Sequence, residues 1–304
     1  MELIVSKEDS GRRIDSYIAE RSSMTRSAVV NLIENNNIQL NGRQVNKNYK
    51  IKADDRIIVM IPDPKPLEIV AQEIPLNIIY EDDDIIVINK PQGMVVHPAP
   101  GNRENTLVNA LLAHCGSGLS GINGIARPGI VHRIDKGTSG ILMVAKNDTA
   151  HVSLAKQIKD HSFLRVYNAI VVGHFRNYEG TIDLPIGRNP NDRKKMAVIL
   201  SGINAKKAIT HYKVLEELNG FSLVEFTLET GRTHQIRVHS SYLGHPVFGD
   251  PVYSKTAEQS KKYGLEGQCL HAKKLGFMHP TKGEWMEFDS ELPDYFEKII
   301  QSNR

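Results

Sequence analysis

The sequence predicts an α+β protein in which a small N-terminal module precedes a larger domain built on a mixed sheet. Three observations predict this class. Helical apolar spacing and a hairpin signal fill the first 61 residues, and three prolines follow within five residues. The later strands and helices do not alternate in strict βαβ order. A chain of 304 residues is long enough for two such domains.

The N-terminal module, residues 1–61, is expected to contain two short helices and a small sheet. Apolar residues recur at helical spacing over Ile14–Ile18, and Thr25 can cap a second helix. Asn41-Gly42 between apolar segments predicts a hairpin turn, because both residue types tolerate positive φ. A further strand is expected over Arg56–Ile61.

The proline-rich segment that follows predicts a stiff, extended linker over residues 62–70, and the larger domain then spans residues 71–304. In that domain we expect five strands and two helices; the strands are Ile85–Asn89, Gly140–Ala145, Tyr167–Val172, Ala208–Leu215 and Leu223–Glu229, and the helices are Thr106–Ala113 and Thr149–Lys159. The polar stretch Tyr253–Gln268 is expected to be a surface loop, and a short C-terminal helix begins at Leu292-Pro293.

Composition excludes several classes of protein. Hydrophobic residues make up 40% and charged residues 24%, which excludes a disordered or collagen-like chain. Apolar runs such as Ile85–Ile88 are far shorter than a membrane span, and the N-terminus shows no secretory pattern. Two cysteines, Cys115 and Cys269, fit a reducing cytoplasm, where we expect the protein to reside.

Net charge permits a nucleic-acid partner without requiring one. The formal charge is +3, but seven basic residues and one acid lie between Gly187 and Lys213. Most such runs are solvated loops, so this stretch alone does not establish binding to a polyanion.

Asp135 is the first candidate for chemistry. It follows an apolar strand at a predicted turn and lies between Arg133 and Lys136, two cations that favour its ionised form. An ionised carboxylate can act as a nucleophile or a general base. The alternative is an aspartate that only stabilises its own turn.

Two further segments concentrate polar or aromatic side chains. In Leu228–His239, strand spacing would place Arg237 and His239 on one face, where arginine could clamp a phosphate or carboxylate; a polar surface strand is the alternative. Tyr167 at the head of a strand is a packing residue by default, or it could stack on a nucleobase. Dinucleotide-binding, P-loop, His-Glu-x-x-His and Cys-x-x-Cys motifs are all absent, so we expect no metal site.

Three stretches, taken in chain order, resemble the RluA/RluD-type pseudouridine synthases; they are His132–Gly140, Tyr167–Gly173 and Glu229–His239. Further matching stretches extend the resemblance to most of the chain; they are Ile86–Pro98, Gly244–Pro251 and Leu270–Ala272. The likeness is greatest to the RluD-like branch, because of Tyr80–Pro98 and Asp183–Arg188. The resemblance implies a catalytic domain with a largely antiparallel mixed sheet and a central cleft.

The N-terminal module resembles the S-four-type RNA-binding domain in Arg13-Ile14-Asp15, Thr25-Arg26-Ser27 and Ile38–Gly42. It departs from that family at Asp54, where glycine is usual, but aspartate tolerates a left-handed turn. Ten basic and eight acidic residues through Met60 leave only a modest positive charge for RNA binding.

The resemblance also implies roles for single residues. Asp135 matches the essential aspartate of the family, Arg237 matches its arginine partner, and Tyr167 matches the tyrosine that packs on the target ring and is a candidate base. Arg133 would fill the space of a flipped-out uridine. Candidate RNA or substrate contacts complete the set; they are Ile236, Arg232, His234, Lys90, Arg13 and Arg26.

The implied reaction converts uridine in RNA into its carbon-linked isomer, and it needs no cofactor or metal because the product is an isomer. We expect the substrate to be a loop or bulge of large-subunit ribosomal RNA, with another structured RNA as the nearest alternative. A catalytically inert RNA-binding or ribosome-assembly factor is the second hypothesis, and a metal-dependent nuclease ranks last. By family likeness, the protein is expected to be a monomer.

Overall fold

The computed structural model describes residues 1–22, 24–61, 69–99, 101–116, 118–122, 127–192, 195–200 and 205–304. The chain divides into two compact units, Met1–Pro66 and Leu67–Arg304. Most of the predicted linker, residues 62–68, lies outside the described residues, so the boundaries of that linker stay a prediction.

The N-terminal unit contains two helices and a four-stranded antiparallel sheet of order β1-β4-β2-β3. Its elements are β1 (Glu2–Ile4), α1 (Ile14–Arg21), α2 (Arg26–Glu34), β2 (Ile38–Leu40), β3 (Arg43–Gln44) and β4 (Arg56–Val59). The side chain of Thr25 accepts a hydrogen bond from the amide of Ala28, which confirms the predicted cap. Asn41 and Asp54 adopt left-handed conformations, with φ of 51° and 68°, as the turn predictions require.

The larger unit is built on a nine-stranded sheet of order β5-β6-β7-β14-β8-β13-β12-β9, with β15 paired to β14. Its strands are β5 (Ile78–Glu81), β6 (Ile85–Lys90), β7 (Ser139–Ala145), β8 (Leu164–Val172), β9 (Glu179–Asp183), β12 (Ile209–Leu218), β13 (Phe221–Leu228), β14 (Leu270–Met278) and β15 (Trp285–Asp289). A separate hairpin joins β10 (Ile186–Arg188) and β11 (Met196–Val198). Among the described strands of this unit, β7 and β14 are parallel and the other pairs are antiparallel, so the predicted mixed sheet is confirmed.

Strand β14 joins the two halves of this sheet. It pairs in parallel with β7 through only two residue pairs, His271 with Ser139 and Ala272 with Gly140. Gly140 has φ of 113°, and a Cβ atom there would lie 2.3 Å from the carbonyl oxygen of Ala272. Glycine is therefore required where the two halves meet.

The helices of the larger unit are α3 (Leu107–Cys115), α4 (Asp148–Lys159), α5 (Gln235–Tyr242), α6 (Ala257–Ser260) and α7 (Asp294–Ser302), with a 3-10 turn at Lys261–Tyr263. The predicted strand spacing over residues 235–239 is wrong, because this segment is α5. The predicted loop Tyr253–Gln268 instead contains α6 and the 3-10 turn, and it buries Leu265 and Gln268.

Helices cover both faces of β6 and β7. Alternate residues such as Ile85 and Val87 pack with α4, while Ile86 and Ile88 pack with α3. A strand buried on both faces needs an unbroken apolar run, which explains the sequence of Ile85–Ile88. Among the described residues, no helix combines the length and apolar character needed to cross a membrane.

Candidate active site

Asp135 lies at the first position of a tight turn that leads into β7. The amide of Thr138 donates to the carbonyl of Asp135 at 3.0 Å and closes the turn. Gln92 donates to the carbonyl of Gly137, and Gln268 donates to the hydroxyl of Thr138, both at 2.8 Å. A Cβ atom on Gly137 would lie 2.6 Å from Oε1 of Gln268, so a larger residue there would displace the Gln268 side chain. The turn is thus fixed from both sides.

The structure brings the predicted pair Asp135 and Arg237 into contact. Arg237 lies in the first turn of α5, and its Nη1 donates to Oδ2 of Asp135 at 2.8 Å. The Arg237 side chain is 5% exposed, whereas that of Asp135 is 20% exposed. Asp135 is therefore the member of the pair that faces solvent.

Arg237 also binds a second carboxylate, that of Asp250. Nε and Nη2 donate to the two oxygens of Asp250 at 2.7 and 2.9 Å, and Asp250 is fully buried. Burial disfavours the charged guanidinium, but the hydrogen bonds and the charge of Asp250 outweigh it, and the pKa of Arg237 is raised. Arg237 therefore stays charged.

His234 and Tyr253 complete the surroundings of Asp135. Nε2 of His234 lies 3.8 Å from Oδ2 of Asp135, and Nδ1 lies 2.9 Å from the hydroxyl of Tyr253. Burial lowers the pKa of His234 although Asp135 opposes this shift, so the imidazole is neutral at pH 7. The Tyr253 ring centre is 5.2 Å from the guanidinium carbon of Arg237.

A cleft of about 730 Å³ opens in front of Asp135, which confirms the predicted central cleft. A smaller pocket of about 60 Å³ adjoins it and is lined by Tyr167. The two cavities share five lining residues: Arg133, Ile134, Asp135, His234 and Arg237. The three predicted catalytic residues therefore converge on one cavity system.

Tyr167 lies on β8, and its side chain is buried beside the small pocket. Burial raises the pKa of its phenol, with a smaller contribution from Asp135 and an opposing one from Arg165. The phenol is therefore protonated at neutral pH. It contributes to the lining of the pocket although little of it is exposed.

Four of the predicted RNA contacts line this small pocket, and one of them is His234, described above. Arg133 is exposed, Arg232 is half-buried and donates to the carbonyl of Lys207, and Ile236 is buried. Arg13 and Arg26 belong to the N-terminal unit, where both guanidinium groups donate to Asp15 at 2.9 Å. Their side chains are 43% and 53% exposed and keep a face toward solvent.

Lys90 does not fit the predicted direct contact with RNA. It is fully buried, and Nζ donates to the carbonyls of Pro91 and Met94 at 2.8 Å each. A weaker bond of 3.4 Å reaches the carbonyl of Lys136, beside Asp135. Lys90 therefore organises backbone inside the protein rather than contacting a ligand.

The predicted basic stretch is described in part, because Arg193 and Lys194 lie outside the described residues. Lys206 and Lys207 are exposed. Lys213 is also exposed, but it pairs in register with Glu179 and Glu225, two acids that offset its charge. The net positive charge of this stretch therefore comes from the basic residues that precede Lys213.

Sequence reasoning missed several groups that shape the site. The sequence places Asp250 in a stretch that matches the family but predicts no role for it, and it predicts a surface loop for the segment that contains Tyr253 and Gln268. A buried acid such as Asp250 is recognisable only when its partner is known, since sequence spacing does not show that Arg237 lies opposite.

Comparisons with known proteins agree with this geometry. A sequence model described as RNA pseudouridylate synthase matches residues 84–242. An uncharacterised RNA pseudouridine synthase of Bacillus subtilis is 48% identical over all of this chain and 98% of its own length. A protein of Zymomonas mobilis named ribosomal large subunit pseudouridine synthase D is 46% identical, again over all of this chain and 98% of its own.

A solved structure shows the same fold for the larger part of the chain. Human RNA pseudouridylate synthase domain containing 1 superposes with a TM-score of 0.59 at 28% identity, covering 79% of this chain and 97% of the human one. The fold, the full-length relatives and the cleft together identify the chain as an isomerase of uridine in RNA, and it belongs to the RNA pseudouridylate synthase family.

Proposed function

We propose that this protein converts specific uridines of large-subunit ribosomal RNA into pseudouridine. The observation that carries the proposal is the Asp135 carboxylate, partly exposed at the cleft, held by Arg237 and next to the Tyr167 pocket. The ribosomal substrate is supported by the Zymomonas mobilis relative, whose name specifies the large ribosomal subunit.

The reaction breaks the bond between ribose and uracil N1, rotates the base and joins the ribose to carbon-5. Carbon-5 then loses its proton and N1 gains one, so atoms and charge balance without an added reagent. Three first steps fit the site: Asp135 attacks the sugar, attacks the ring or removes a ribose proton. Each uses the carboxylate of Asp135, whose Oδ2 accepts a hydrogen bond from Nη1 of Arg237.

We assign Tyr167 to the face of the target ring. In the free protein its phenol is protonated and packs as a neutral ring. To accept the carbon-5 proton, it must pass its own hydroxyl proton to N1 of the uracil, the atom that gains one, in the same step. Tyr167 and Asp135 line the same small pocket, so both can lie beside one ring.

Arg133 is assigned to the RNA that surrounds the flipped nucleotide. It is exposed at the edge shared by the two cavities, where its side chain can enter the space that the uridine leaves. Flipping costs a few kcal/mol and costs less in an unpaired region, so the target uridine lies in a loop or bulge. Lys206 and Lys207 extend a backbone-binding flank, and the protein acts as a monomer in the cytoplasm.

The test uses RNA carrying tritium on carbon-5 of uracil. Release of tritium that survives a chelator supports the isomerase, whereas RNA binding without release supports an inert binding factor. Pseudouridine mapping of large-subunit ribosomal RNA from cells with and without the protein tests the substrate. We expect one or a few pseudouridines to be missing from cells without the protein. If the map is unchanged, the substrate is an RNA other than large-subunit ribosomal RNA.

A further inference from the structure

His97 lines the cleft, and neither of its ring nitrogens has a hydrogen-bond partner among the described residues. The residue is 6% exposed, and its Nδ1 is buried. Other buried histidines, such as His239 and His271, use both ring nitrogens inside the protein. A buried histidine that uses neither destabilises the folded protein unless a ligand supplies a partner.

The burial of His97 shows which nitrogen a ligand can reach. Nδ1 is enclosed, whereas Nε2 is not among the buried atoms that lack a partner, so Nε2 is the nitrogen that reaches the cleft. The tautomer that carries its proton on Nε2 therefore presents an N–H donor to the cleft.

The backbone around His97 is fixed before any RNA binds. The carbonyl of Val96 accepts a hydrogen bond from the amide of Val108, in the first turn of α3, at 3.0 Å. Ala99 and Asn102 exchange two backbone hydrogen bonds at 3.0 and 2.9 Å. His97 lies between these two contacts, so the donor it carries starts from a fixed position at the cleft wall.

The charge around His97 is positive. Burial lowers the pKa of His97 to about 4, and Arg127 and Arg133 add to the shift. The imidazole is therefore neutral at pH 7 and supplies a hydrogen bond rather than a charge. Two acids line other parts of the cleft, Asp135 and Glu266, but neither contributes to the shift in the pKa of His97.

Both of these arginines are available to a ligand. Arg127 and Arg133 are exposed, and neither has an ion pair or a hydrogen bond among the described residues. Arg133 lines both the cleft and the small pocket of Tyr167, so the positive region lies next to the place of the target ring. A neutral donor between free guanidinium groups is suited to an anion, and each nucleotide of RNA carries one as its phosphate.

We propose that His97 and Arg127 bind one backbone phosphate of the RNA, on a nucleotide beside the target uridine. Nε2–H of His97 donates to a phosphate oxygen, and Arg127 supplies the positive charge. The inference rests on the proposed function of the cleft and adds a subsite for a neighbouring nucleotide. A contact of this kind reads no base, but it fixes the register of the strand and so determines which nucleotide faces Asp135.

The test replaces the backbone phosphates of an RNA, one at a time, by neutral methylphosphonate. The probe is a hairpin of large-subunit ribosomal RNA that binds the wild-type protein and carries one uridine in its loop. At one position beside this uridine, the replacement should weaken binding to the wild-type protein about tenfold, as loss of a charge-assisted hydrogen bond does. The same replacement should weaken binding to Arg127→Gln, and to His97→Leu, by less than about threefold.

Salt dependence separates the charged member of the subsite from the neutral one. Arg127→Gln removes a phosphate contact made by a cation, so the slope of log Kd against log salt should fall by about 0.7. His97→Leu removes a neutral donor, so binding should weaken about fivefold with an unchanged slope. His97→Gln can still donate from its amide and should bind within about twofold of the wild-type protein.

Arg176→Gln is the matched control for Arg127→Gln. Arg176 is also exposed and has no ion pair among the described residues, but it lies between β8 and β9 and does not line the cleft. It should show the wild-type penalty at every methylphosphonate position. Arg127 is exposed, so Arg127→Gln should fold, and its phosphate scan decides the question even if His97→Leu does not fold.

Equal penalties in the wild-type protein and Arg127→Gln at every position would overturn the proposal. So would coupling of His97 and Arg127 to two different phosphates, or a reduced salt slope in His97→Leu. The scan is read from Kd, so it gives a result whether or not tritium is released. Failure of the proposed function is seen separately, as binding of the unmodified hairpin without release of tritium.

Discussion

At the scale of single residues, burial decreases from the supporting groups to Asp135, the proposed reacting group. Asp250 is fully buried, Arg237 is nearly so, and Asp135 is exposed enough to meet a ligand. Hydrogen bonds are strongest and least variable where water is excluded. The proposed reacting carboxylate therefore combines access to the cleft with an orientation that buried groups hold.

This arrangement predicts that Asp135 is essential for chemistry and minor for binding. Asp135→Asn keeps the turn but removes the charge, so we expect tritium release to fall by at least about 1,000-fold. RNA affinity in a filter-binding assay should be nearly unchanged. Asp160→Asn, an exposed acid that does not line the cleft, is the matched control. Substantial residual turnover in Asp135→Asn would remove it from the catalytic assignment.

Residues that line the cleft are easier to predict from the sequence than the buried residues that support them. Asp135 and Arg237 are 102 positions apart, and the family resemblance supplied their pairing. No comparable signal identifies Asp250, because the sequence does not distinguish a buried acid from an exposed one when its partner is unknown. Lys90 shows the opposite error, since lysine is usually exposed and here is fully buried.

At the scale of elements, the start of α5 explains why a helix was predicted as a strand. The first residues of the segment alternate in polarity, which favours a strand. Gln235 instead binds four groups: it accepts from Thr230 and Arg232, and it donates to Ile209 and Thr210. These tertiary bonds fix the first turn of α5 against β12, and no local pattern encodes them.

Gln235→Met tests that anchor. Methionine keeps the volume but leaves several buried polar groups without partners, so we expect the free energy of unfolding to fall by about 2–4 kcal/mol. Denaturant unfolding followed by the fluorescence of the single tryptophan, Trp285, reports on the larger unit. Gln259→Met at an exposed position should change stability little. Equal stabilities would show that α5 is held by its other contacts.

At the scale of the whole molecule, neutral histidines in and beside the core make the larger unit sensitive to acid. Burial, aided by nearby cations, lowers the pKa of His132 to about 3 and those of His97 and His271 to about 4. Since their unfolded pKa is near 6.5, the unfolded chain binds more protons between those values. Stability should therefore fall as the pH drops from about 6.5 toward 4.

His271→Asn measures how much of this loss of stability at low pH is due to His271. His271 lies between the hydroxyls of Ser139 and Ser290, so the variant is less stable at all pH values. Its slope of stability against pH below 6.5 should nevertheless be shallower by up to about 1.4 kcal/mol per pH unit, the value for one proton. His161→Asn at an exposed position should keep the wild-type slope. Identical slopes in all three proteins would refute the assignment.

The two compact units predict a division of labour. The N-terminal unit has its own core, which includes Ile14, Tyr17 and Val29, and every proposed catalytic residue lies in the larger unit. Deletion of residues 1–66 should leave a folded domain with the wild-type single-turnover rate at saturating enzyme. RNA capture should weaken and its salt dependence should flatten, because the deletion removes phosphate contacts and tethering.

Binding at two salt concentrations and single-turnover rates distinguish the outcomes of that deletion. A folded truncation with a collapsed saturated rate would show that the N-terminal unit shapes the active site. Early melting would show that it supports the fold.

The parallel contact of β14 with β7 also determines how much of the chain must be present before the site can assemble. Asp135 precedes β7 in one half of the sheet, whereas Tyr167 and Arg237 belong to the other half, and β14 lies between the halves. During synthesis, a chain that has left the ribosome only as far as residue 269 already carries all three side chains but lacks the strand that unites them. We therefore expect a chain that stops at residue 269 to release no tritium, because the strand that joins the two halves of the site is missing.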